Sequence, residues 1–480
     1  MDNKLKRLAV KGMAWNFFEN VFSYIIKFSI GVLLARILSP EDFGLVGIAF
    51  IIFSIAEIII NSGFSEAFIR LDNAKKEDAN TVFITNVIIS IIIYTILWFI
   101  SPLIAKYFRQ PELIWIIRIM ALVIIINSIN IIQIALIRKN LEFKKRTILF
   151  LSASVISGIV GIILALNKFG VWSLVLREII NKIFICTLLY MTSKWKMTFK
   201  YSISSFKKMF IYGLWLLMSH LLLRIFSNLY RIVIGRYFPV HQLGLYDRGH
   251  QIAGNIYETI WWSIGSVAFP VYSKLLDEKN KLEEALTKIV KYSSFIIMPV
   301  LAILFIVADP LVILLLTEKW KGSIIYVKLF CLIGLINPLY DYLTQFIEAI
   351  GKSKDSFMYN VAFVIFRLIN VSINLKRGIE AVLIGEIVIQ IIMLIGVSLI
   401  SKSYMGFNYL TTIIKMRWII FSTIISVISG FICLRVCPSI KVIEIILPSI
   451  FMFITYLIVM TLKERQTIQR TISLLLYKNV

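Results

Sequence analysis

Long apolar stretches recur along the whole chain and are separated by short polar segments. A helix needs about 20 apolar residues to cross the roughly 30 Å hydrocarbon core of a bilayer. Alternation with a period of two, which strands would show, does not appear. The pattern therefore predicts an all-α integral membrane protein of about fourteen transmembrane helices, at 12–36, 43–69, 80–104, 113–137, 147–167, 170–191, 207–236, 248–272, 289–316, 324–349, 355–375, 379–401, 417–436 and 441–462.

Composition agrees with lipid as the solvent, since 59% of the 480 residues are hydrophobic, 16% are charged and the mean hydropathy is +0.86. Soluble domains average about 25% charged residues. The net charge of +24 does not indicate nucleic acid as a partner, because the basic residues cluster in short loops. With the N-terminus in the cytoplasm, 31 of the 51 lysines and arginines fall in cytoplasmic loops and 12 in outer ones. The asymmetry predicts a multi-pass protein of the inner (plasma) membrane with both termini cytoplasmic.

Signatures of catalysis are missing from the sequence. There is no HExxH, GxSxG or Asp-rich glycosyltransferase motif, and Gly351-Lys352-Ser353 lacks the upstream glycine of a phosphate loop. The four cysteines do not have the spacing of a metal site. We therefore expect no enzyme activity, no catalytic residues, no metal and no cofactor.

A weak internal repeat has a separation of 200 residues. The paired positions carry identical residues: Trp15 and Trp215, Arg36 and Arg236, Gly44 and Gly244, Leu45 and Leu245. Six predicted helices separate the copies, so both halves have one orientation, as in parallel transporter repeats. Chance similarity among apolar helices is the alternative. The repeat predicts an N-lobe at 1–200, a C-lobe at 201–403, and two C-terminal helices with a cytoplasmic tail at 404–480.

Charged residues inside the predicted helices are the candidate functional residues. One lysine or arginine at mid-bilayer costs about 2.5–3.5 kcal/mol, so a polar, hydrated interior is expected. Cations outnumber anions there, which predicts an anionic ligand such as phosphate. For each residue the alternative is a structural ion pair or an anchor at a helix end. The candidates for substrate binding in this cationic cleft are Lys27, Arg224, Arg231, Arg118 and Arg367. The candidates for coupling to H⁺ or Na⁺ are Glu57, Glu258, Asp341 and Glu348.

The stretch 34–45, LARILSPEDFGL, strongly resembles the first-loop signature of polysaccharide flippases. These are the Wzx-type, teichuronic-acid and colanic-acid exporters of the multidrug/oligosaccharidyl-lipid/polysaccharide superfamily. Further matches lie at 170–173, 243–246, 269–273 and 319–320, and the resemblance covers about residues 10–400. It implies two six-helix lobes, often followed by two extra helices.

The resemblance also implies a function. The expected activity is alternating-access transfer of undecaprenyl-diphosphate-linked oligosaccharide repeat units from the cytoplasmic to the outer leaflet, for export of a cell-surface polysaccharide. Membrane lipids and the polysaccharide polymerase machinery are the implied partners. Lipopolysaccharide, capsule and teichuronic acid pathways all fit the motif.

Other functions fit the residues less well. A drug or cation antiporter of the same superfamily takes mostly cationic substrates, which a positively charged cleft would repel. A polymerase or ligase of lipid-linked sugars usually has a large outer loop, and none is predicted. A scaffolding protein would leave the intramembrane charges unexplained.

Overall fold

A computed structural model of the chain describes residues 3–61, 64–71, 75–140, 142–193, 195, 198, 200–276, 278–405 and 409–475. Throughout these residues the regular structure is helical, and each of the fourteen predicted apolar segments overlaps a helix. The first ten helices are α1 (Asn3–Ile37), α2 (Pro40–Asn61), α3 (Phe64–Arg70), α4 (Lys76–Phe108), α5 (Leu113–Met120), α6 (Leu122–Lys139), α7 (Phe143–Leu166), α8 (Val171–Thr192), α9 (Ile203–Ser227) and α10 (Leu229–Tyr237). The others are α11 (Val240–Gly249), α12 (Asn255–Lys274), α13 (Lys279–Leu316), α14 (Ile324–Ala349), α15 (Ser353–Asn374), α16 (Ile379–Met405), α17 (Tyr409–Lys415), α18 (Arg417–Val436) and α19 (Lys441–Leu475).

Ten helical segments within the described residues are long and apolar enough to cross a membrane. The prediction of an all-α, multi-pass membrane protein is confirmed. The count of fourteen stays a prediction. Four further helices of at least 20 residues are long enough to span but are not among these ten, namely α1, α8, α9 and α12.

The chain forms two compact units, residues 1–244 and 245–480. The lobes predicted from the repeat, with limits at 200 and 403, rest on sequence similarity and stay a prediction. In the first unit α9 and α10 pack on α2, α3 and α4. Met209 of α9 is buried against Phe64 and Phe68 of α3. Helices from both copies of the repeat therefore contribute to one core.

Helix α1 is attached to α7 by apolar and polar contacts. Ile30 lies over Gly158, where a Cβ atom would come within 2.1 Å of the isoleucine side chain. The buried carboxylate of Glu19 lies 3.3 Å from the Arg146 guanidinium and accepts a 3.1 Å hydrogen bond from the Thr147 hydroxyl. A buried carboxylate needs such partners to offset its lost hydration. Glu19 thus helps to attach α1 to α7.

The repeated glycines make a reciprocal contact in the first unit. A Cβ atom on Gly44 would lie 2.0 Å from the carbonyl oxygen of Val240, and one on Gly244 would lie 1.9 Å from that of Pro40. Pro40 and Val240 are the first residues of α2 and α11 and are themselves 200 positions apart. Two equivalent segments contacting each other through the same surface is the signature of a twofold relation. Glycine is required at both positions because only a residue without a side chain allows this approach.

In the second unit the core lies among α12, α13, α14 and α16, with large buried side chains such as Tyr272, Tyr342 and Phe346. The C-terminal helices α18 and α19 pack against each other and against α13. A single π-helical turn, His250–Gly254, joins α11 to α12. Such turns insert one residue into a helix and shift the register of the side chains beyond it.

Candidate functional site

The break between α9 and α10 positions two of the predicted substrate arginines. Asn228 lies at the break with 5% of its surface exposed, and its amide donates to the Ser54 hydroxyl at 3.2 Å and to the Arg224 carbonyl at 2.9 Å. Arg231 donates to the Asn228 amide oxygen at 3.4 Å. Asn228 therefore fixes the bend of α9–α10 against α2. Arg224 is exposed, and Arg231 is half-buried one turn beyond the break.

The polar face of α2 continues from Ser54 to Glu57. The exposed Glu57 carboxylate accepts a 3.0 Å hydrogen bond from the Asn127 amide of α6. Ser54, Glu57 and Asn127 line a small cavity of about 80 Å³ together with Glu178 and Lys182 of α8. Two carboxylates, one lysine and neutral oxygen ligands thus meet inside the first unit. The role of Glu57 in coupling to H⁺ or Na⁺ stays a prediction.

Buried amides extend from this cavity along α6. Asn127, Asn130 and Gln133 are three residues apart, a spacing that keeps neighbours on adjoining faces of a helix. Asn130 and Gln133 are at most 2% exposed, and the side-chain NH₂ groups of both have no hydrogen-bond partner among the described residues. Buried amides without protein partners are typical of sites that hold water or ions. Sequence reasoning missed this stripe, although its spacing is visible in NSINIIQ.

Lys27 lies on α1 and is exposed. Among the residues that the structure describes, no carboxylate lies within 4.0 Å of the Lys27 ammonium or of the Arg224 guanidinium. In the described part of the chain both are therefore cations without a carboxylate partner, and they lie on helices long enough to span a membrane. Such cations in a membrane protein normally face water or an anionic ligand.

Arg118 of α5 occupies an aromatic site instead. Its guanidinium carbon lies 4.5 Å from the ring centre of Trp98 and 5.3 Å from that of Trp115. Its Nε donates to the Ser101 hydroxyl at 3.1 Å and the Trp98 carbonyl at 3.3 Å. Stacking on two indoles holds the arginine while leaving its terminal nitrogens as donors. Its role in substrate binding stays a prediction.

Arg367 is neutralised. Its Nε donates to both oxygens of Glu386 on α16, at 3.0 and 3.1 Å, and Nη2 also donates to Oε1. Glu386 is 2% exposed, and Gln390 donates a further hydrogen bond to it at 3.4 Å. A forked pair of this kind stabilises the approach of α15 to α16. It supplies no net positive charge, so the Arg367–Glu386 pair would contact a substrate only as a neutral unit.

The predicted coupling carboxylates of the second unit lie in three different environments. The Glu258 carboxylate lies 3.3 Å from Nε2 of His250. The His250 ring lies so close to Gly254 that it leaves no room for a side chain at that position. The π-helical turn brings these residues, eight apart in sequence, to one face. Glu348 is exposed and accepts a 2.7 Å hydrogen bond from Ser356. Asp341 is half-buried on α14. The coupling role of all three stays a prediction.

A family model described as a polysaccharide biosynthesis protein matches residues 33–325, more than half of the chain. The chain belongs to this family of polysaccharide biosynthesis proteins, which confirms the resemblance drawn from residues 34–45.

Two curated relatives have related descriptions. The chain is 24% identical over 426 residues to the lipopolysaccharide biosynthesis protein WzxC of Escherichia coli, covering 87% of this chain and 85% of the relative. It is 21% identical over 347 residues to the succinoglycan biosynthesis transport protein ExoT of Rhizobium meliloti, covering 72% and 70%.

Two solved structures have the same fold. The lipid II flippase MurJ in an inward closed conformation has a TM-score of 0.75 at 16% identity, over 96% of this chain and 100% of that one. An inward-facing multidrug resistance transporter of the MATE family has a TM-score of 0.62 at 19% identity, over 81% and 94%. At these identities the likeness shows the fold alone, that of an all-α membrane protein.

Proposed function

We propose that this protein is a flippase for lipid-linked oligosaccharides, which moves undecaprenyl-diphosphate-linked repeat units from the cytoplasmic to the outer leaflet of the plasma membrane by alternating access. Both termini are cytoplasmic in this proposal. The product would feed polymerisation and export of a cell-surface polysaccharide. The family, the relatives named for polysaccharide and lipopolysaccharide biosynthesis, and the fold of a lipid II flippase all support it.

The observation that carries the proposal is a pair of cations, Lys27 of α1 and Arg224 of α9, that have no carboxylate partner among the described residues. Both helices are long enough to span a membrane. A diphosphate cannot cross hydrocarbon unaided, because its hydration is too costly to remove. A guanidinium replaces that hydration with paired donors, and an ammonium does so as a point charge. Arg231, held by Asn228, adds a third cation on the same α9–α10 segment. The lipid tail remains in the bilayer throughout.

Coupling to an ion gradient fits the first unit as well. The hydrogen bond between Asn228 and Ser54 ties the arginine-bearing segment to α2, and Glu57 lies one turn along α2 from Ser54. Protonation of Glu57, or a Na⁺ held by it, changes the charge facing α6 and α8. We propose that this change biases the position of α2 and hence of the α9–α10 bend. Glu258, Asp341 and Glu348 are the corresponding candidates in the second unit.

Transport in proteoliposomes tests the proposal. The purified protein is reconstituted with an undecaprenyl-diphosphate-linked oligosaccharide that carries a fluorophore, and chemical quenching from outside reports the leaflet. The proposal predicts that the protein accelerates transfer and that Lys27→Gln and Arg224→Gln each slow it while Arg236→Gln does not. Arg236 is the matched control, because it donates to the Tyr107 carbonyl at the end of α10.

If the protein does not transfer the labelled lipid-linked oligosaccharide but exports a cationic dye, the antiporter hypothesis replaces the flippase proposal. If all three variants transfer the oligosaccharide equally fast, the protein is still a flippase, but Lys27 and Arg224 do not form its substrate site.

A further inference from the structure

A second cavity, of about 560 Å³, lies in the second unit, away from the residues discussed above. Its volume falls within the usual range for ligand pockets, about 300–1,000 Å³. It is formed by the beginning of α13, the junction of α17 with α18, and the last turns of α19. The lining residues include Lys288, Lys291, Lys415, Arg417, Glu464 and Thr467.

A break in α19 shapes one wall. Glu464 has φ −146° and ψ 47°, which interrupts the helix. Its carboxylate pairs with the Lys291 ammonium at 2.5 Å and accepts a 2.5 Å hydrogen bond from the Thr467 hydroxyl. These two contacts therefore stabilise the break in α19. A helix that restarts at this point leaves its first N–H groups without intrahelical acceptors, and Gln466 and Thr467 in that turn line the cavity.

Charge in the cavity is unbalanced once the ion pairs are assigned. Lys291 pairs with Glu464, and Lys288 pairs with Glu284 at 2.7 Å. Among the described residues, Lys415 and Arg417 have no carboxylate within 4.0 Å. Besides the paired Glu284 and Glu464, the described lining contains one acidic residue, Glu283. Lys463 lies just outside, with its ammonium 5.2 Å from the ring centre of Trp418. The cavity therefore has a net positive charge.

The cavity lies where helices leave the apolar layer. α18 begins at Arg417, and the apolar part of α19 ends shortly before Glu464. The Lys291 side chain of α13 is at the same level, because it reaches Glu464. This is the depth of lipid headgroups, and the distribution of lysines and arginines predicts the cytoplasmic leaflet, which is rich in anionic lipid.

We propose that this cavity is a binding site for a phosphate-bearing headgroup, that of an anionic phospholipid of the cytoplasmic leaflet. Lys415, Arg417 and the first N–H groups after Glu464 would hold the phosphate. A polar cavity at headgroup depth admits a lipid whose acyl chains stay in the bilayer beside α18 and α19. Binding would fix the break in α19, and it does not depend on the proposed transport function.

The experiment uses the full chain in nanodiscs of phosphatidylcholine with and without phosphatidylglycerol. Native mass spectrometry counts the lipids that remain bound, and thermal unfolding reports stabilisation. The variant Lys415→Gln/Arg417→Gln removes the two unneutralised cations. The control Lys354→Gln/Lys402→Gln removes two exposed cations outside the cavity, on the same predicted side.

We expect wild type and control to retain phosphatidylglycerol, and the cavity variant to lose about thirtyfold in affinity, since one cation near an anionic surface contributes about a factor of five. If the cavity variant and the control variant lose the same affinity for phosphatidylglycerol, the site is wrong, because general surface charge then explains lipid retention. Should the double variant fail to fold, Lys415→Gln alone must weaken retention about fivefold. If inorganic phosphate stabilises the protein in phosphatidylcholine discs as much as phosphatidylglycerol does, the proposal that a lipid supplies the bound phosphate is wrong.

Discussion

Gly44 and Gly244 occupy equivalent positions in two copies of a repeat, and each packs against the first carbonyl group of the other copy's helix. The 200-residue spacing that relates them in sequence also relates their contact partners, Pro40 and Val240. The contact therefore supports the repeat, while the limits of its two lobes stay a prediction. The contact joins the starts of α2 and α11, next to the helices that carry the candidate site.

The first prediction concerns this contact. Gly44→Ala and Gly244→Ala should each destabilise the protein by about 1–3 kcal/mol or more, because a Cβ atom would overlap a backbone carbonyl that has no freedom to move. Thermal unfolding of the purified variants in detergent measures the loss. The double variant should cost less than the sum of the two, since both changes open the same contact.

Gly396→Ala is the matched control. Gly396 lies inside α16, and nothing lies within 4 Å of the position its Cβ atom would take. Alanine there should be neutral or stabilise by about 0.5–1 kcal/mol. Equal melting temperatures for all three alanine variants would contradict the reciprocal contact.

A second prediction concerns the Arg367–Glu386 pair. Arg367→Met or Glu386→Leu alone should destabilise by about 3–5 kcal/mol, because each leaves the charge of the other side chain without its partner. The double variant Arg367→Met/Glu386→Leu should recover much of the loss. Thermal unfolding completes the double-mutant cycle. Additive losses would mean that the two side chains act separately and that the forked geometry is irrelevant to stability.

The third prediction concerns Glu57. Glu57→Gln keeps an oxygen that can accept from Asn127 but removes the titratable charge. Transport by this variant should continue without responding to an imposed H⁺ or Na⁺ gradient, whereas wild-type transport should respond. The measurement is transfer of labelled lipid-linked sugar in proteoliposomes with each gradient in turn. A variant that responds as wild type does would move the coupling site to Glu258, Asp341 or Glu348.

Sequence pattern was sufficient to locate the helices, because a bilayer demands long apolar runs and each one leaves an unmistakable signal. Finer breaks were not predictable. Hydropathy predicts one helix over 207–236, whereas the structure divides this run at Asn228 into α9 and α10. A hydrogen bond to Ser54, 174 residues away, holds that break, and hydropathy contains no information on such a contact.

The candidate site was predictable by residue type but less so by partner. Intramembrane arginines were visible in the sequence, yet Arg367 and Arg118 look alike there. Only packing distinguishes them, since Glu386 neutralises the first and two tryptophans surround the second. The buried amides at Asn130 and Gln133 were overlooked because neutral residues cost less in a membrane and attract less notice than charges.

We propose that Lys27 and Arg224 bind the diphosphate of the substrate. Equilibrium binding of an undecaprenyl-diphosphate sugar to the purified protein, compared with neutral undecaprenol, tests it most directly. Wild type should prefer the diphosphate, and Lys27→Gln and Arg224→Gln should each weaken its binding about tenfold or more, since a charge-assisted hydrogen bond contributes about 1.5–3 kcal/mol. Binding of neutral undecaprenol should not change. If both variants bind the diphosphate with wild-type affinity, Lys27 and Arg224 do not form the diphosphate site.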